Sequence, residues 1–207
     1  MLWHRITRRL RTLLGRGWNA AEFERRYRAK PENAWGYQNN PEHAARVRRI
    51  LQSLPHAPVQ HLLEAGCAEG FLTRQLATRA MQVTACDLSA EAVRRAREYC
   101  AGLSNVQFVA ADLRRHLPAG PFDAAVFSDV LYYLSVAENR TLAVRLRSIL
   151  SPPGTLLIAN EWNQSYRDLT HPKIAVECFT GTGLWTCRSL EEHPTGQGQM
   201  HVVAVLA

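Results

Sequence analysis

Short apolar, β-branched runs alternate with helix-length stretches from His61 onward, and this alternation limits the possible fold more than any other feature of the chain. The pattern is typical of a parallel β-sheet covered by helices on both faces. At 207 residues, the chain suits a single compact domain. The pattern predicts strands at residues 61–65, 82–87, 106–112, 122–129 and 155–160, and helices at residues 70–79, 90–101 and 136–150.

Two more strands are predicted after the alternation ends, at residues 184–192 and 200–206. The HPTGQGQ stretch between them is rich in glycine and proline, and it is too short for the crossover of about a dozen residues that parallel neighbours need. These two strands are therefore predicted to pair antiparallel as a closing hairpin. The predicted fold class is α/β, a Rossmann-like doubly wound sheet of seven strands.

The region before His61 has a different organisation, with helical patterns at residues 2–14 and 43–54 separated by the turn-rich PENAWGYQNNP. We expect residues 1–55 to form an N-terminal basic helix and a lid segment, and residues 56–207 to form the α/β domain. Large aromatics beside the flexible Gly36 are suited to a lid that closes over a ligand and excludes water. Alternatively, Trp35 is only a packing anchor.

The basic charge of the chain is concentrated in its first thirty residues. The net charge is +7, and residues 1–30 hold nine Lys and Arg against two acids, so the rest of the chain is neutral. The pattern at residues 2–14 predicts a basic amphipathic helix that docks its apolar stripe on the domain, or lies on an anionic membrane or a partner. A transit peptide is a further alternative.

Other segments suggest neither a membrane span nor a redox site. No apolar run approaches the ~20 residues that cross a bilayer, and no secretory signal pattern is present, so a cytoplasmic protein is expected. The five cysteines contain no C-x-x-C pair. We expect them to be reduced, and we expect no metal site.

The segment LEAGCAEGF, residues 63–71, places Gly66 and Gly70 where a strand turns sharply into a helix. A dinucleotide site would carry G-x-G-x-x-G, but Ala68 stands at the middle glycine and the third glycine is absent. This departure disfavours a pyrophosphate ligand. Glu64, at the end of the strand, is suited to organise the loop and to meet an ammonium group.

Acidic residues follow the next strands in order, which suggests a nucleoside site. Asp87 closes the second strand 23 residues after Glu64, and it is placed to accept hydrogen bonds from ribose hydroxyls. Asp112, after the third strand, can accept one from an adenine amino group, and Ser128 and Asp129 end the fourth strand. Each acid alone could be a helix cap. Four in succession favour the ligand interpretation.

These residues resemble those of the class I S-adenosylmethionine-dependent methyltransferases, and SPPGTLLI (residues 151–158) is similar to the turn before their fifth strand. Within that superfamily, the chain is most similar to the nodulation protein S family of N-methyltransferases. That narrower resemblance rests on NAWGYQNNPEH, EAGCAEGFLT, VLYYL and the spacing from strand five to His171 and Glu177. Where an arginine and an acid usually follow strand five, this chain has Glu161, Trp162 and Asn163 instead, so the acceptor is not fixed by the resemblance.

The resemblance implies the strand order 3-2-1-4-5-7-6, S-adenosyl-L-methionine as cofactor and S-adenosyl-L-homocysteine as product. It assigns residues 56–207 to the cofactor-binding domain. The cofactor-binding residues we expect are Trp35, Glu64, Gly66, Cys67, Ala68, Gly70, Phe71, Asp87, Leu88, Asp112, Leu113, Ser128, Asp129 and Tyr133.

Methyl transfer is an in-line displacement, so the protein chiefly orients donor and acceptor and excludes water. His171 is the first candidate for accepting the proton of an amine acceptor, and the alternative is an ordinary surface-loop histidine. Asp129, Glu161 and Tyr132 are the other candidate catalytic residues. Because Tyr132 and Tyr133 are adjacent, only one is expected to face the site.

Four functions remain open from the sequence. N-methylation of a small-molecule amine is preferred, and O-methylation of a hydroxyl or carboxyl group is the second enzymatic reading. Residues 129–131 do not match the acid-or-Asn, Pro, Pro, aromatic signature of base-amino methyltransferases, so RNA is a weaker third option and DNA is not expected. The fourth is a cofactor-binding protein without turnover. A monomer or a homodimer is expected.

Overall fold

The computed structural model describes residues 19–30, 33–57, 59–163, 169–195 and 199–207. The basic helix predicted at residues 2–14 lies outside the described residues. The strands are β1 Val59–Ala65, β2 Ala80–Asp87, β3 Val106–Ala110, β4 Phe122–Ser128, β5 Leu150–Trp162, β6 Cys187–Pro194 and β7 Met200–Leu206. The helices are α1 Ala20–Ala29, α2 Pro41–Ser53, α3 Phe71–Leu76, α4 Ala90–Tyr99, α5 Val136–Arg147 and α6 Pro172–Thr180, with a 3₁₀ turn at Leu131–Tyr133.

The strands form one seven-stranded sheet in the order β3-β2-β1-β4-β5-β7-β6. Neighbouring strands from β3 to β5 are parallel, whereas β7 is antiparallel to both β5 and β6. The predicted fold class and strand order are confirmed. Ala65 is in register with Cys86 on β2 and with Phe127 on β4, so the carboxyl ends of the central strands meet at one edge.

Helices cover both faces of the sheet and bury two apolar cores. On one face, α5 and α6 contribute Leu142, Leu146 and Phe179. On the other, α2 and α3 contribute Ile50 and Leu76, beside residues of α4. This two-sided covering explains why the central strands are continuous apolar runs.

Two helices were not predicted from the sequence. The segment that forms α1 is highly charged and buries only Tyr27, so few apolar residues mark it as a helix in the sequence. Its local stabilisation comes from the Asn19 side chain, which accepts a hydrogen bond from the Glu22 N–H at 3.1 Å. The segment that forms α6 is only nine residues long and starts at Pro172, directly after a stretch that resembles a loop.

The two ends of the closing region also differ from the prediction. β5 starts at Leu150, where the sequence analysis extended the preceding helix, and it continues to Trp162. β6 starts at Cys187 rather than at residue 184. The longer β5 brings Glu161 into register with His201 on β7. Within the described ranges, no helix is long and apolar enough to cross a membrane.

Candidate cofactor and acceptor site

A cleft of about 770 Å³, counted with its open mouth, lies at the carboxyl edge of the central strands. This is the edge where open α/β sheets bind ligands. Most of the predicted site residues line it, namely Trp35, Gly66, Ala68, Asp87, Leu88, Asp112, Leu113, Ser128, Asp129, Tyr132 and Tyr133. Also lining it are Phe23, Tyr27, Tyr37, Cys86, Ala111, Arg114, Val130 and Leu134. Six predicted residues do not line it: Glu64, Cys67, Gly70, Phe71, Glu161 and His171.

Gly66 lets the backbone pass where no side chain would fit. Its φ is +78°, and a Cβ at this position would lie 2.2 Å from Cγ2 of Val130. Gly70 begins α3 with a φ of +85°, and a Cβ there would lie 3.0 Å from Sγ of Cys100. Both predicted glycines therefore shape the loop, Gly66 at the cleft wall and Gly70 behind it.

The Asp87 carboxylate is fixed by the backbone around it. Oδ1 accepts a hydrogen bond from the Ser89 N–H at 2.9 Å, and Oδ2 accepts one from the Ala68 N–H at 3.0 Å. Burial raises the pKa of Asp87 to about 6, although these backbone donors favour the charged form. Since each carboxylate oxygen can accept more than one hydrogen bond, Asp87 retains acceptor capacity toward the cleft.

Glu64 lies beneath the glycine loop with 1% exposure. In the described part of the chain, neither carboxyl oxygen has a hydrogen-bond partner at standard geometry. Burial raises the pKa of Glu64 to about 8, and the nearby Thr73 hydroxyl offsets this only in part. Burial without a partner is costly for a carboxyl group, so this residue is suited to a cationic ligand group.

Asp112 lines the cleft but is already engaged. Its two oxygens accept parallel hydrogen bonds from Nε and Nη2 of Arg114, each at 2.8 Å. This pairing lowers the pKa of Asp112. Arg114 itself lines the cleft and was not among the predicted site residues.

Asp129 lies where β4 ends, with an unusual φ of +55°. Oδ1 accepts the backbone N–H of Glu161 at 2.7 Å, and Oδ2 forms an ion pair with Nη1 of Arg46 at 2.5 Å. Arg46 also contacts the Glu161 carboxylate at 3.4 Å and Nδ1 of His43 at 2.9 Å. A buried polar cluster therefore stands behind the Asp129 side of the cleft.

Arg46 was missed by the sequence analysis, although a signal for it exists. The buried residues of α2 are Arg46, Val47 and Ile50, so this arginine lies on the apolar stripe of the helix. It is only 6% exposed. An arginine on such a stripe needs a buried acid as its partner.

The expectation that only one of Tyr132 and Tyr133 faces the site is wrong, because both line the cleft. The 3₁₀ turn that carries them lets adjacent rings share one wall, with ring centroids 4.5 Å apart in an edge-to-face arrangement. Burial and the Asp129 charge raise the pKa of Tyr132.

The cleft is covered by α1 and by the segment after it. Phe23, Tyr27 and Trp35 all line the cleft from this side. The indole Nε1–H of Trp35 donates to the Tyr27 hydroxyl at 2.8 Å, and the Arg26 guanidinium lies 3.8 Å from the Trp35 ring centroid. These aromatic side chains therefore lie over the cleft, and their action as a lid stays a prediction.

His171 lies away from the lining of the cleft. Its Nδ1 accepts the Lys173 N–H at 3.2 Å and so caps the N-terminus of α6, and its ring packs against Trp162 at 4.7 Å. Burial lowers the pKa of His171. Its role as a base stays a prediction, as do the other assigned roles.

The residues present fit S-adenosylmethionine. A buried carboxyl without a partner lies under the loop at Glu64, a Cβ at Gly66 would close the cradle, and Asp87 retains acceptor capacity. In the described ranges, no group of three or more His, Cys, Asp or Glu side chains could hold a metal ion.

Comparisons with known proteins agree with this geometry. A family model described as a methyltransferase domain matches residues 62–154. Nodulation protein S of Sinorhizobium fredii (strain NBRC 101917 / NGR234) is 32% identical over 142 residues, which is 68% of this chain and 66% of that protein. The tRNA 5-carboxymethoxyuridine methyltransferase of Escherichia coli (strain K12) is 39% identical over 101 residues, or 46% of this chain and 38% of that protein.

Among solved structures, the N-methyltransferase NodS from Bradyrhizobium japonicum WM9 in complex with S-adenosyl-L-homocysteine has the same fold, with a TM-score of 0.79 and 23% identity. The match covers 90% of this chain and 97% of that one. This chain spans just under two thirds of the length of its Sinorhizobium fredii relative. The fold and the site are those of a class I S-adenosylmethionine-dependent methyltransferase, and the chain is similar in sequence to proteins of that class. Within that class it is similar to nodulation protein S.

Proposed function

We propose that this protein transfers the methyl group of S-adenosylmethionine to the nitrogen of a small-molecule amine, such as an amino sugar. The observation that carries the proposal is the acceptor end of the cleft. There, the Asp129 carboxylate stands beside the rings of Tyr132 and Tyr133, while Arg46 is occupied by Asp129 and Glu161. We also propose that residues 56–207 form the cofactor-binding domain and residues 1–55 the basic helix and lid.

The cofactor end of the cleft is assigned to the strand tips. We infer that Glu64 meets the ammonium group, Asp87 the ribose hydroxyls and Asp112 the adenine amino group. Ala68, Leu88 and Leu113 supply further wall. When bound, S-adenosylmethionine supplies a methyl group activated by a sulfonium. Trp35 and Tyr27 cover the cleft and exclude water from it.

The acceptor end favours an amine over a carboxylate. A carboxylate acceptor would need a free cation, but in the described structure the Arg46 guanidinium already contacts two acids and the His43 ring. An amine finds a carboxylate and aromatic faces, both of which attract positive charge. The structurally similar Bradyrhizobium japonicum protein is an N-methyltransferase, which supports the same acceptor atom.

The chemistry required of the protein is small. The amine lone pair forms the new N–C bond as the C–S bond breaks and its electron pair stays with sulfur. The proton carried by the nitrogen passes to the Asp129 carboxylate, which lines the cleft, while Glu161 acts only from behind it. Orientation of the lone pair along the C–S axis accounts for most of the acceleration expected here.

A competition experiment tests this proposal. Purified protein with methyl-labelled cofactor is offered matched sets of amines, amino sugars, alcohols, carboxylic acids and unmodified tRNA. We expect labelled product from amines, and we expect Asp129→Asn to lower kcat/KM at least about a hundredfold while cofactor affinity changes little. Transfer only to alcohols or carboxylates would establish O-methylation, and transfer only to tRNA would establish an RNA substrate. Cofactor binding without methyl transfer to any of these compounds would indicate a protein that binds the cofactor but does not catalyse transfer. A cytoplasmic location stays a prediction.

A further inference from the structure

Arg46 brings a positive charge to the acceptor end from outside the segment that matches the methyltransferase domain model. That segment covers residues 62–154, whereas Arg46 lies on α2 and crosses to the tip of β4. α2 packs against β5 and β7, so the guanidinium is held from the side of the sheet. Its side chain and that of Asp129 are each only 7% exposed.

The groups around Arg46 leave one uncompensated negative charge. Asp129 and Glu161 contribute two carboxylates against the single guanidinium. Farther out, Glu42 and Arg49 act on the same cluster and add one charge of each sign, so they cancel. The histidines nearby are neutral, because burial and Arg46 lower the pKa of His43 to about 3 and that of His201 to about 2. Burial keeps Tyr37 and Tyr132 neutral as well, since it raises their pKa values.

We propose that Arg46 is a positioning residue for methyl transfer, which fixes the Asp129 carboxylate at the cleft and leaves the acceptor end with a single negative charge that selects a monocationic amine. This inference rests on the proposed function. It adds to it a residue and a charge class of acceptor: an amine with one positive charge before its proton is released.

The orientation of Asp129 depends on contacts at both of its oxygens. The Glu161 N–H holds Oδ1 and Arg46 holds Oδ2, so the carboxylate cannot rotate freely about its χ angles. The contact of Arg46 with Oδ2 is an ion pair rather than a hydrogen bond at standard geometry, and because both side chains are buried, water and salt screen it little. The Arg46 guanidinium also lies 5.2 Å from the Tyr37 ring centroid, and that ring stacks on His43 at 4.1 Å. The arginine therefore has little freedom to leave.

The charge balance depends on the same residue. Burial raises the pKa of Glu161, and the nearby charges of Asp129 and Glu42 raise it further. The Arg46 guanidinium lowers it. Without Arg46, two carboxylates would face each other, and one would take up a proton near neutral pH. The acceptor end would then lose both the orientation of Asp129 and the defined charge.

The test uses three variants and a control. Arg46→Met removes the positive charge, and Arg46→Lys keeps the charge but lacks the planar guanidinium with its several N–H donors. Arg46→Met/Glu161→Gln restores a net charge of −1 at the acceptor end. Arg48→Met on the exposed face of the same helix is the matched control. Each is measured for cofactor affinity by calorimetry, for kcat and KM with the best amine between pH 5.5 and 9, and for the titration of the labelled Glu161 carboxyl by NMR.

We expect Arg46→Met to bind cofactor within about threefold of the parent, to lose at least about fiftyfold in kcat, and to shift the acid limb of its pH profile upward. The Glu161 carboxyl should titrate at higher pH in the same variant. Arg46→Lys should recover part of kcat with the acid limb in place, and the double variant should return the acid limb toward the parent. Arg48→Met should behave as the parent.

The inference would be overturned if Arg46→Met had the acid limb of its pH–rate profile and the pKa of its Glu161 carboxyl at the same values as the parent. If Arg46→Met fails to fold, Arg46→Lys provides the test instead. The inference would be overturned if Arg46→Lys had full kcat, or if it lost cofactor affinity and kcat together. Equal kcat/KM for monocationic and dicationic amines in the parent would overturn the charge class. Because the Glu161 titration needs no turnover, a parent enzyme that methylates no amine would refute the proposed function while the role of Arg46 in charge balance is still measured.

Discussion

The Glu24 carboxylate on α1 accepts a hydrogen bond from the Ser89 hydroxyl at the start of α4, with Oε2 and Oγ 2.6 Å apart. The same oxygen accepts the Glu91 N–H at 3.2 Å, so an acid of the lid lies at the positive end of a helix. Arg95 of α4 completes the attachment by donating to the Tyr27 carbonyl at 2.6 Å. α1 is therefore anchored to the same helix whose cap residue, Ser89, donates its backbone N–H to Asp87.

Glu24→Ala should weaken cofactor binding about five- to tenfold, because a closed lid would lose about 1–1.4 kcal/mol of contacts. The hydrogen bond from Ser89 lowers the pKa of Glu24, so the anchor is present at neutral pH and is lost as pH falls through that lowered value. The effect of the substitution should accordingly disappear in acid. Calorimetric titration with cofactor at two pH values measures it, and Glu98→Ala on the exposed face of α4 is the control. Equal affinity of both variants at neutral pH would show that Glu24 does not hold the lid.

Gly66→Ala should abolish tight cofactor binding and destabilise the fold. An alanine at a φ of +78° costs about 1–2 kcal/mol, and the clash of its Cβ with Val130 adds about 1–3 kcal/mol. Gly102→Ala, also at positive φ but with open space around the Cβ, carries the backbone cost alone. Urea denaturation of both variants separates the two contributions. Gly66→Ala/Val130→Ala should recover part of the difference, and a double variant no better than Gly66→Ala would contradict the steric explanation.

The sequence predicts those parts of the site that depend on local pattern. Gly66, Asp87 and Asp129 each stand at a strand tip, and parallel strands bring their carboxyl ends to one edge, so order along the chain is enough to group them. The alternation predicts only a parallel sheet covered on both faces, whereas the strand order came from the resemblance to class I methyltransferases. The closing hairpin followed from its short connection, although the start of β6 did not.

Residues whose role depends on partners far along the chain could not be predicted in this way. Arg46 is 83 positions before Asp129, and although it lies on the apolar stripe of its helix, nothing near it in the sequence identifies the acid that pairs with it. α1 carries few apolar residues, and it is held by hydrogen bonds that Ser89 donates to the Glu24 carboxylate and Arg95 donates to the Tyr27 carbonyl. His171 looked like a free loop histidine because the short α6 that it caps was not recognised.

Cofactor binding should release close to one proton at pH 7 through Glu64. Burial raises the pKa of this carboxyl to about 8, so it is largely protonated in the free protein, and an ammonium group placed beside it favours the charged form. Affinity should therefore increase as pH rises toward 8. Calorimetry in two buffers of different ionisation enthalpy counts the protons. Glu64→Gln should remove the release and Glu98→Gln should keep it, whereas an unchanged proton count in Glu64→Gln would assign the release to another group.

Acid sensitivity of the fold should depend on His201. Its ring is 1% exposed, and neither nitrogen has a hydrogen-bond partner among the described residues. Burial, together with Arg46 and Arg49, lowers its pKa to about 2, so the folded protein keeps this histidine neutral. In the unfolded chain the same side chain takes up a proton near its ordinary pKa of about 6.5.

The sign of the effect follows from that difference. Below pH ~6.5 the unfolded state binds the additional proton, so the free energy of unfolding falls with pH, by about 1.4 kcal/mol for this residue between pH 7.5 and 5.5. His201→Leu should be at least as stable as the parent at pH 7.5, because a buried polar group without partners is replaced by an apolar one, and it should lose about 1.4 kcal/mol less on acidification. Urea denaturation at both pH values measures this, with the exposed His56→Leu as control. Parallel losses in parent and His201→Leu would mean that His201 does not stay neutral in the folded protein, and that the charge assigned to the acceptor end is too negative.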